Sequence, residues 1–157
     1  MAKRPIHLLC VGKVKEPFLQ QGCSHYLERL KHWRNPLLQE VRDAEACLAT
    51  EARKEQEGER LLKALKPHDL PLVLDERGTS LTSQELAGLL TKIEEKQLGI
   101  PCFIIGGPFG LCESVRKIAH ELIALSPMTF PHELARLILL EQLYRAECIV
   151  HKVPYHH

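Results

Sequence analysis

The sequence lacks any apolar run long enough to cross a membrane, and its N-terminus lacks a signal-peptide pattern. A short apolar stretch follows Pro5, but His7 and Gly12 interrupt it. A membrane-spanning helix needs about 20 consecutive apolar residues, and a secretory signal needs an uninterrupted apolar segment before its cleavage site. These absences predict a cytoplasmic protein with no membrane partner.

The six cysteines form no CxxC pair and have no spacing typical of zinc ligands. Cys10, Cys102 and Cys148 lie in apolar runs, where a thiol behaves as a small hydrophobic side chain. The histidines near the C-terminus, at 151, 156 and 157, are poorly spaced for metal binding. We therefore predict structural thiols and no metal site.

The chain also lacks a strong excess of positive charge and a dinucleotide-binding fingerprint. Its formal net charge is +1, which argues weakly against strong autonomous binding to nucleic acid. The segment Gly106-Gly-Pro-Phe-Gly110 is not G-x-G-x-x-G, it follows the fourth predicted strand, and no Lys-Ser/Thr pair follows it as in a P-loop. A nicotinamide-dependent oxidoreductase is therefore disfavoured.

Patterns typical of strands and helices alternate along the whole chain. Strands are predicted at 6–12, 37–41, 70–75, 101–105 and 124–126, and helices at 16–30, 51–65, 82–93, 113–123 and 131–150. A turn is predicted at 76–78, a capping box at Thr82 and Glu85, and a solvated face at 51–60. The alternation predicts a single α/β domain over residues 1–157, with a mainly parallel sheet covered by helices on both faces.

Two loops follow predicted strands about twenty residues apart, at 106–110 and 126–131. Open α/β sheets bind ligands at the carboxyl ends of their strands. Glycines allow the backbone to approach a flat adenosine, and prolines fix a loop's shape before the ligand arrives. We predict that these loops form two walls of one pocket. The alternatives are a tight turn with no ligand and a β–α connection in which Thr129 caps the next helix.

The last predicted helix is apolar nearly all round, which indicates either a fully buried helix or one that also contacts a second subunit; we favour the second subunit. Arg136 and Arg145 are polar exceptions in this apolar segment. Arg145 lies four residues after Glu141, so it could form a local ion pair or contact a ligand or phosphate. His132 could be a cap or a solvated residue, and the segment from Tyr155 onward could be a frayed tail.

Several motifs in order give a more specific indication. They are Val11-Gly-Lys13, Leu74-Asp75 followed by Gly78, Ile105-Gly-Gly-Pro108, Thr129-Phe-Pro-His132, Glu141-Gln-Leu-Tyr-Arg-Ala146 and Pro154-Tyr-His156. Over its whole length the sequence resembles the ribosomal RNA large subunit methyltransferase H family. These are SPOUT-class enzymes that methylate N3 of a pseudouridine in bacterial 23S rRNA.

This resemblance implies an α/β fold with a deep C-terminal trefoil knot, S-adenosyl-L-methionine bound within the knot in a bent form, a homodimer formed through the C-terminal helix, and a 23S rRNA substrate in the assembled ribosome. The implied cofactor contacts are Leu74, Gly106, Leu125, Ser126, Pro127, Met128, Thr129 and Phe130. A non-catalytic nucleotide-binding regulatory module of the same fold is the alternative.

The catalytic candidates that follow from this resemblance are Arg145, His132, Tyr155 and His156. Arg145 would stabilise the imidate that develops on the base, reaching from the second subunit, and the other three would orient the base or relay a proton. Two departures from the family pattern stand out. Phe109 lies where a polar residue is expected, so no catalytic role is predicted for it. Residues 44–57 match poorly, so no function is assigned to them.

Overall fold

A computed structural model describes residues 2–155 of the 157-residue chain. Five strands alternate with five helices along this part of the chain. The strands are β1 (Arg4–Val11), β2 (Arg34–Val41), β3 (Asp69–Ser80), β4 (Ile100–Ile105) and β5 (Glu121–Ala124). The helices are α1 (Pro17–Leu30), α2 (Thr50–Ala64), α3 (Ser83–Glu95), α4 (Glu113–Lys117) and α5 (His132–Val150). The predicted alternation of strands and helices is confirmed.

The five strands form one sheet in the order β2-β1-β4-β3-β5, and every neighbouring pair is parallel. Parallel strands bring all their carboxyl ends to the same edge of the sheet. The glycine loop after β4 and the proline-containing loop after β5 therefore leave the sheet at the same edge. The predicted parallel α/β architecture is confirmed.

Helices cover both faces of the sheet. Successive side chains of the interior strand β1 therefore pack into two different hydrophobic cores. Ile6, Leu8 and Cys10 pack on the side of α1, α3 and α5. Leu9 and Val11 pack on the opposite side, with residues of α2 and α4. Strands buried on both faces are typical of parallel sheets, so each face of β1 contributes to the stability of the fold.

The predicted capping box at the start of α3 is confirmed. The Thr82 side chain accepts a hydrogen bond from the Glu85 amide, and the Glu85 carboxylate accepts one from the Thr82 amide. This reciprocal pair satisfies two backbone donors that the first turn of a helix otherwise leaves free.

The predictions around α4 and β5 need correction. The helix predicted at 113–123 ends at Lys117, and the strand predicted at 124–126 lies at Glu121–Ala124. The short apolar run at 122–125 suits either a helix or a buried strand by periodicity alone. Pairing of Leu122 and Ile123 with β3 decides in favour of a strand.

The predicted turn at 76–78 is instead an irregularity within β3. Leu74 and Thr79 both pair with Ile123, so the four residues between them form an excursion from the ladder. Gly78 closes this excursion against β5, because a Cβ there would lie 2.5 Å from the Leu122 carbonyl carbon. The bulged residues point towards the loops at the carboxyl edge, a common position for functional irregularities.

The prediction of a solvated face at 51–60 is wrong for part of α2. Glu57 and Gly58 are buried, and a Cβ at Gly58 would lie 2.2 Å from the Cys112 sulfur. The close contact between α2 and the segment leading into α4 is a tertiary effect that the charged local sequence did not indicate.

All six cysteines are free thiols, and Cys10, Cys102 and Cys148 are buried as predicted. Burial raises the pKa of the Cys10 thiol to about 12. Within residues 2–155 no helix is long and apolar enough to cross a membrane. The trefoil knot is a matter of chain threading, and it stays a prediction.

Candidate functional site

A cleft of about 690 Å³ opens at the carboxyl edge of the sheet, where β3, β4 and β5 end. Its walls come from the bulge of β3, the glycine loop at 106–110, the loop at 125–131 and the first turn of α5. The two loops therefore face each other across one cavity, and this prediction is confirmed.

The glycine loop is packed so closely that side chains would not fit at its start. A Cβ at Gly106 would lie 2.9 Å from Leu111 Cδ2 and 3.2 Å from the Gly110 carbonyl carbon. The Gly110 amide donates to the Gly107 carbonyl oxygen at 3.1 Å, and Gly110 has a φ of +86°. This tight turn presents backbone atoms rather than side chains to the cleft.

The opposite wall is held by short polar contacts. The Met128 amide donates to Ser126 Oγ at 3.0 Å, and the Thr129 hydroxyl donates across to Glu76 Oε2 in the β3 bulge at 3.5 Å. The alternative in which Thr129 caps α5 is wrong, because the N-cap is Pro131 and no side chain caps this helix.

The cleft carries charge of both signs. Arg116 donates to the Leu111 carbonyl oxygen, and its Nη1 lies 3.5 Å from Asp75 Oδ2. Burial alone would lower the pKa of Arg116, but its hydrogen bond to Glu113 and the charge of Asp75 outweigh this effect, so its pKa is raised. Lys54 and Arg77 add cations to the lining.

The structure brings together all but one of the predicted cofactor residues. Pro127 is the exception, since it does not line the cleft. Those that line it are Leu74, Gly106, Leu125, Ser126, Met128, Thr129 and Phe130. Their binding of a cofactor stays a prediction.

Of the three predicted catalytic residues that the structure describes, Arg145 and Tyr155 lie together, but His132 lies apart from them. His132 lines the cleft at the start of α5. Arg145 and Tyr155 are absent from the lining, and Arg145 lies thirteen residues further along the helix, about 20 Å along its axis. His156 lies outside the described residues.

Arg145 forms the local ion pair that its spacing from Glu141 allowed. Its Nε and Nη2 donate to Glu141 Oε1 at 3.0 and 2.5 Å, and its guanidinium lies 4.8 Å from the centre of the Tyr155 ring. The hydrogen bond to Glu141 raises the pKa of Arg145. The Arg145 side chain is 24% exposed, so the cation remains accessible to solvent.

Other cleft residues were missed by the sequence analysis. Asp75 directly follows the predicted contact Leu74, and its place at a strand end was an available signal. Lys54 and Arg116 reach the cleft through tertiary packing, which no local pattern indicated. Among residues 2–155 no group of three or more histidine, cysteine or acidic side chains is arranged to hold a metal ion.

A family model described as "Predicted SPOUT methyltransferase" matches residues 5–156. The chain is 50% identical over 157 residues to the ribosomal RNA large subunit methyltransferase H of Desulfovibrio desulfuricans, covering 100% of both chains. It is 51% identical over 154 residues to the protein of the same name from Nitratidesulfovibrio vulgaris, covering 98% of this chain and 99% of that one.

Solved structures support the fold at much lower sequence identity. A probable methyltransferase from Bordetella pertussis Tohama I superposes with a TM-score of 0.56 at 15% identity, covering 92% of this chain and 96% of that chain. A probable methylase family protein from Haemophilus influenzae Rd KW20 gives a TM-score of 0.53 at 12% identity, covering 97% of this chain and 70% of that chain. On its sequence matches along the full length, with the fold in agreement, the chain belongs to the ribosomal RNA large subunit methyltransferase H family of SPOUT methyltransferases.

Proposed function

We propose that this protein transfers a methyl group from S-adenosyl-L-methionine to N3 of a pseudouridine in bacterial 23S rRNA, acting in the cytoplasm on the assembled ribosome. The observation that carries the proposal is the convergence of the loops at 106–110 and 125–131 on one cleft beside His132. The name of the relatives that share about half of its residues supports the same reaction class.

The residues of the cleft fit this cofactor. A volume of about 690 Å³ lies within the usual range for sites that enclose a small molecule. The side-chain-free surface at Gly106 gives a flat adenosine access to backbone donors and acceptors. Leu74, Leu125 and Phe130 supply apolar walls, while Asp75 and Glu76 supply carboxylates for a cationic group.

The bound cofactor would supply an electrophilic methyl group, so the protein's main task is positioning. The acceptor N3 is an imide nitrogen that must lose its proton, and negative charge then develops on the base. A cation held beside the base stabilises that charge. Arg145 is our candidate because its guanidinium is held in place by Glu141 and remains partly exposed, and an arginine is always charged near neutral pH.

The placement of Arg145 on α5, away from its own cleft, supports a homodimer in which each protomer supplies Arg145 to its partner's site. The Arg145 guanidinium lies over the Tyr155 ring. The half-buried rings of Tyr26, Trp33 and Tyr155 all contact Tyr144 of α5. Aromatic residues and arginine are enriched at protein interfaces. A second copy covering this surface would also explain the apolar circumference of α5.

His132 and Tyr155 would orient the base. His132 lies in the cleft where a proton could be accepted. Burial, followed by hydrogen bonds to Tyr26 and Glu141, raises the pKa of Tyr155. The Tyr155 hydroxyl donates its single hydrogen to Glu141 Oε1, and its oxygen can still accept a hydrogen bond from an N–H group of the base, so we assign Tyr155 to orientation. We keep His156 as a third candidate for this role.

The net charge of +1 gives little phosphate attraction. We therefore propose that recognition relies on the shape of a folded ribosomal surface, contacted by both protomers. Transfer of labelled methyl from S-adenosylmethionine, to assembled ribosomes and to naked 23S rRNA, tests the function. We expect labelling of ribosomes and weak labelling of naked RNA. No labelling of either, despite cofactor binding, would favour the non-catalytic regulatory module.

A further inference from the structure

Glu57 is an unexplained buried charge behind the glycine loop. Only 2% of this residue is exposed. Its Oε1 accepts a hydrogen bond from the Ala44 amide at 3.2 Å, whereas its Oε2 is buried with no hydrogen-bond partner. Burying a carboxylate oxygen without a hydrogen-bond donor lowers the stability of the fold. A positively charged group nearby would offset this cost.

The free oxygen faces Gly107. A Cβ added to Gly107 would lie 3.0 Å from Glu57 Oε2, and Gly107 itself lines the cleft. The glycine backbone is therefore the layer between this carboxylate and the space where a ligand would bind. A side chain at Gly107 would displace the carboxylate, so the glycine permits this approach.

Among residues 2–155 no basic side chain forms an ion pair with Glu57, although the Arg53 Nε is also buried without a hydrogen-bond partner. Arg53 lies one helical turn earlier, but its guanidinium stacks on the Phe109 ring at 4.7 Å. Lys54 lines the cleft and pairs with Glu51 at 3.0 Å. The negative charge of Glu57 therefore acts across a thin, poorly hydrated layer, where charges interact more strongly than in water.

We propose that Glu57 is a positioning and specificity residue whose charge favours a cationic ligand in the cleft. This inference rests on the proposed function: the cofactor S-adenosylmethionine is a sulfonium cation, whereas its product S-adenosylhomocysteine is a neutral thioether of nearly the same shape. The carboxylate would thus favour binding of fresh cofactor over retention of spent product. It acts through the field across Gly107, without touching the reacting atoms.

The test compares the affinities of the two ligands by calorimetry. Glu57→Gln keeps the acceptor for Ala44 and removes the charge. We expect it to weaken S-adenosylmethionine binding about tenfold while S-adenosylhomocysteine binding is unchanged. Glu59→Gln, in the same helix but exposed, removes an equal charge and should change neither affinity.

Equal weakening of both ligands by Glu57→Gln would indicate a purely structural role and overturn the inference, as would no change in either. If that variant fails to fold, Glu57→Asp provides the test. Aspartate is one methylene shorter, so it keeps the carboxylate but moves it away from Gly107. We then expect a loss of about two- to threefold for the sulfonium alone, and an unchanged ratio would overturn the inference. Wild-type protein that binds neither ligand would instead contradict the proposed function.

Discussion

Arg145 and Glu141 form a fixed pair on the outer side of α5, with the Arg145 Nε and Nη2 both donating to Glu141 Oε1 at 3.0 and 2.5 Å. Tyr155 donates its hydroxyl to the same oxygen at 3.1 Å. Glu141 therefore holds a cation and a phenol in one arrangement, and neither side chain lines the cleft. A group already held in position loses little orientational freedom when it stabilises a transition state.

Replacing Arg145 by alanine should leave cofactor binding within about twofold of wild type and lower turnover about 100-fold or more, as expected for loss of one electrostatic donor. Calorimetry and labelled-methyl transfer to ribosomes measure the two effects. Arg29→Ala is a matched control, since Arg29 lies 5.2 Å from the Tyr144 ring centre on the same surface. Wild-type turnover by Arg145→Ala would remove Arg145 from the mechanism.

Mixed dimers test whether Arg145 acts on the partner's site. Arg145→Ala has an intact cleft, whereas Gly106→Val keeps Arg145, so a mixed dimer contains one complete site if Arg145 acts between protomers. Random mixing of two inactive variants should then restore about a quarter of wild-type activity, because half the dimers are mixed and each has one working site. A mixture that stays inactive although mixed dimers form would show that Arg145 does not act in this way.

The buried pair between Arg34 and Glu147 should contribute strongly to stability. Both side chains are 4% exposed, and Arg34 Nε donates to Glu147 Oε1 at 2.5 Å. Arg34 also pairs with Glu94, so Arg34→Met removes a cation that two carboxylates share. It leaves the buried Glu147 carboxylate without this counter-charge and should lower the free energy of unfolding by about 3 kcal/mol, measured by urea denaturation. Lys31→Ala breaks an exposed pair with Glu28 and should cost under about 1 kcal/mol. Equal losses would contradict this assignment.

Stability should fall at alkaline pH because of Cys10. Burial raises the pKa of its thiol from 9.0 to about 12 in the folded state, so the unfolded chain releases this proton first as pH rises. The contribution of the protonated Cys10 thiol to the free energy of unfolding is complete below pH 9 and is lost progressively as pH approaches 12. Cys10→Ala should show a shallower decline of unfolding free energy over this interval, and an identical decline would refute the assignment.

The sequence predicted the elements that depend on local patterns. The Thr82–Glu85 capping box and the strand predicted at 6–12 follow from short-range patterns, and both are present, the strand as Arg4–Val11. The end of α4 and the start of β5 were misplaced because a short apolar run suits either structure, and pairing of Leu122 with β3 decided between them. Glu57 appeared solvated in a charged segment, although tertiary packing buries it.

The part of the site that lies at the carboxyl ends of the strands could be predicted from the sequence. Gly106 and Thr129 were expected to face one cavity because parallel strands end at a common edge, and both line the cleft. The role of Arg145 could not be tied to that cavity from spacing, because the helix carries it about 20 Å away. The proposed sharing of the site between protomers would leave no signal in the periodicity of one chain.

The measurement that tests the central claim most directly is calorimetric titration of S-adenosylmethionine into the wild type, Gly106→Val and Gly88→Ala. The Cβ of a side chain at Gly106 would lie 2.9 Å from Leu111, so the glycine loop would have to shift to accommodate it. A Cβ at Gly88 meets nothing within 4 Å. We predict saturable binding by the wild type and Gly88→Ala, and at least tenfold weaker binding by Gly106→Val. Binding by Gly106→Val as tight as wild type, or none by the wild type, would contradict a cofactor site between these loops.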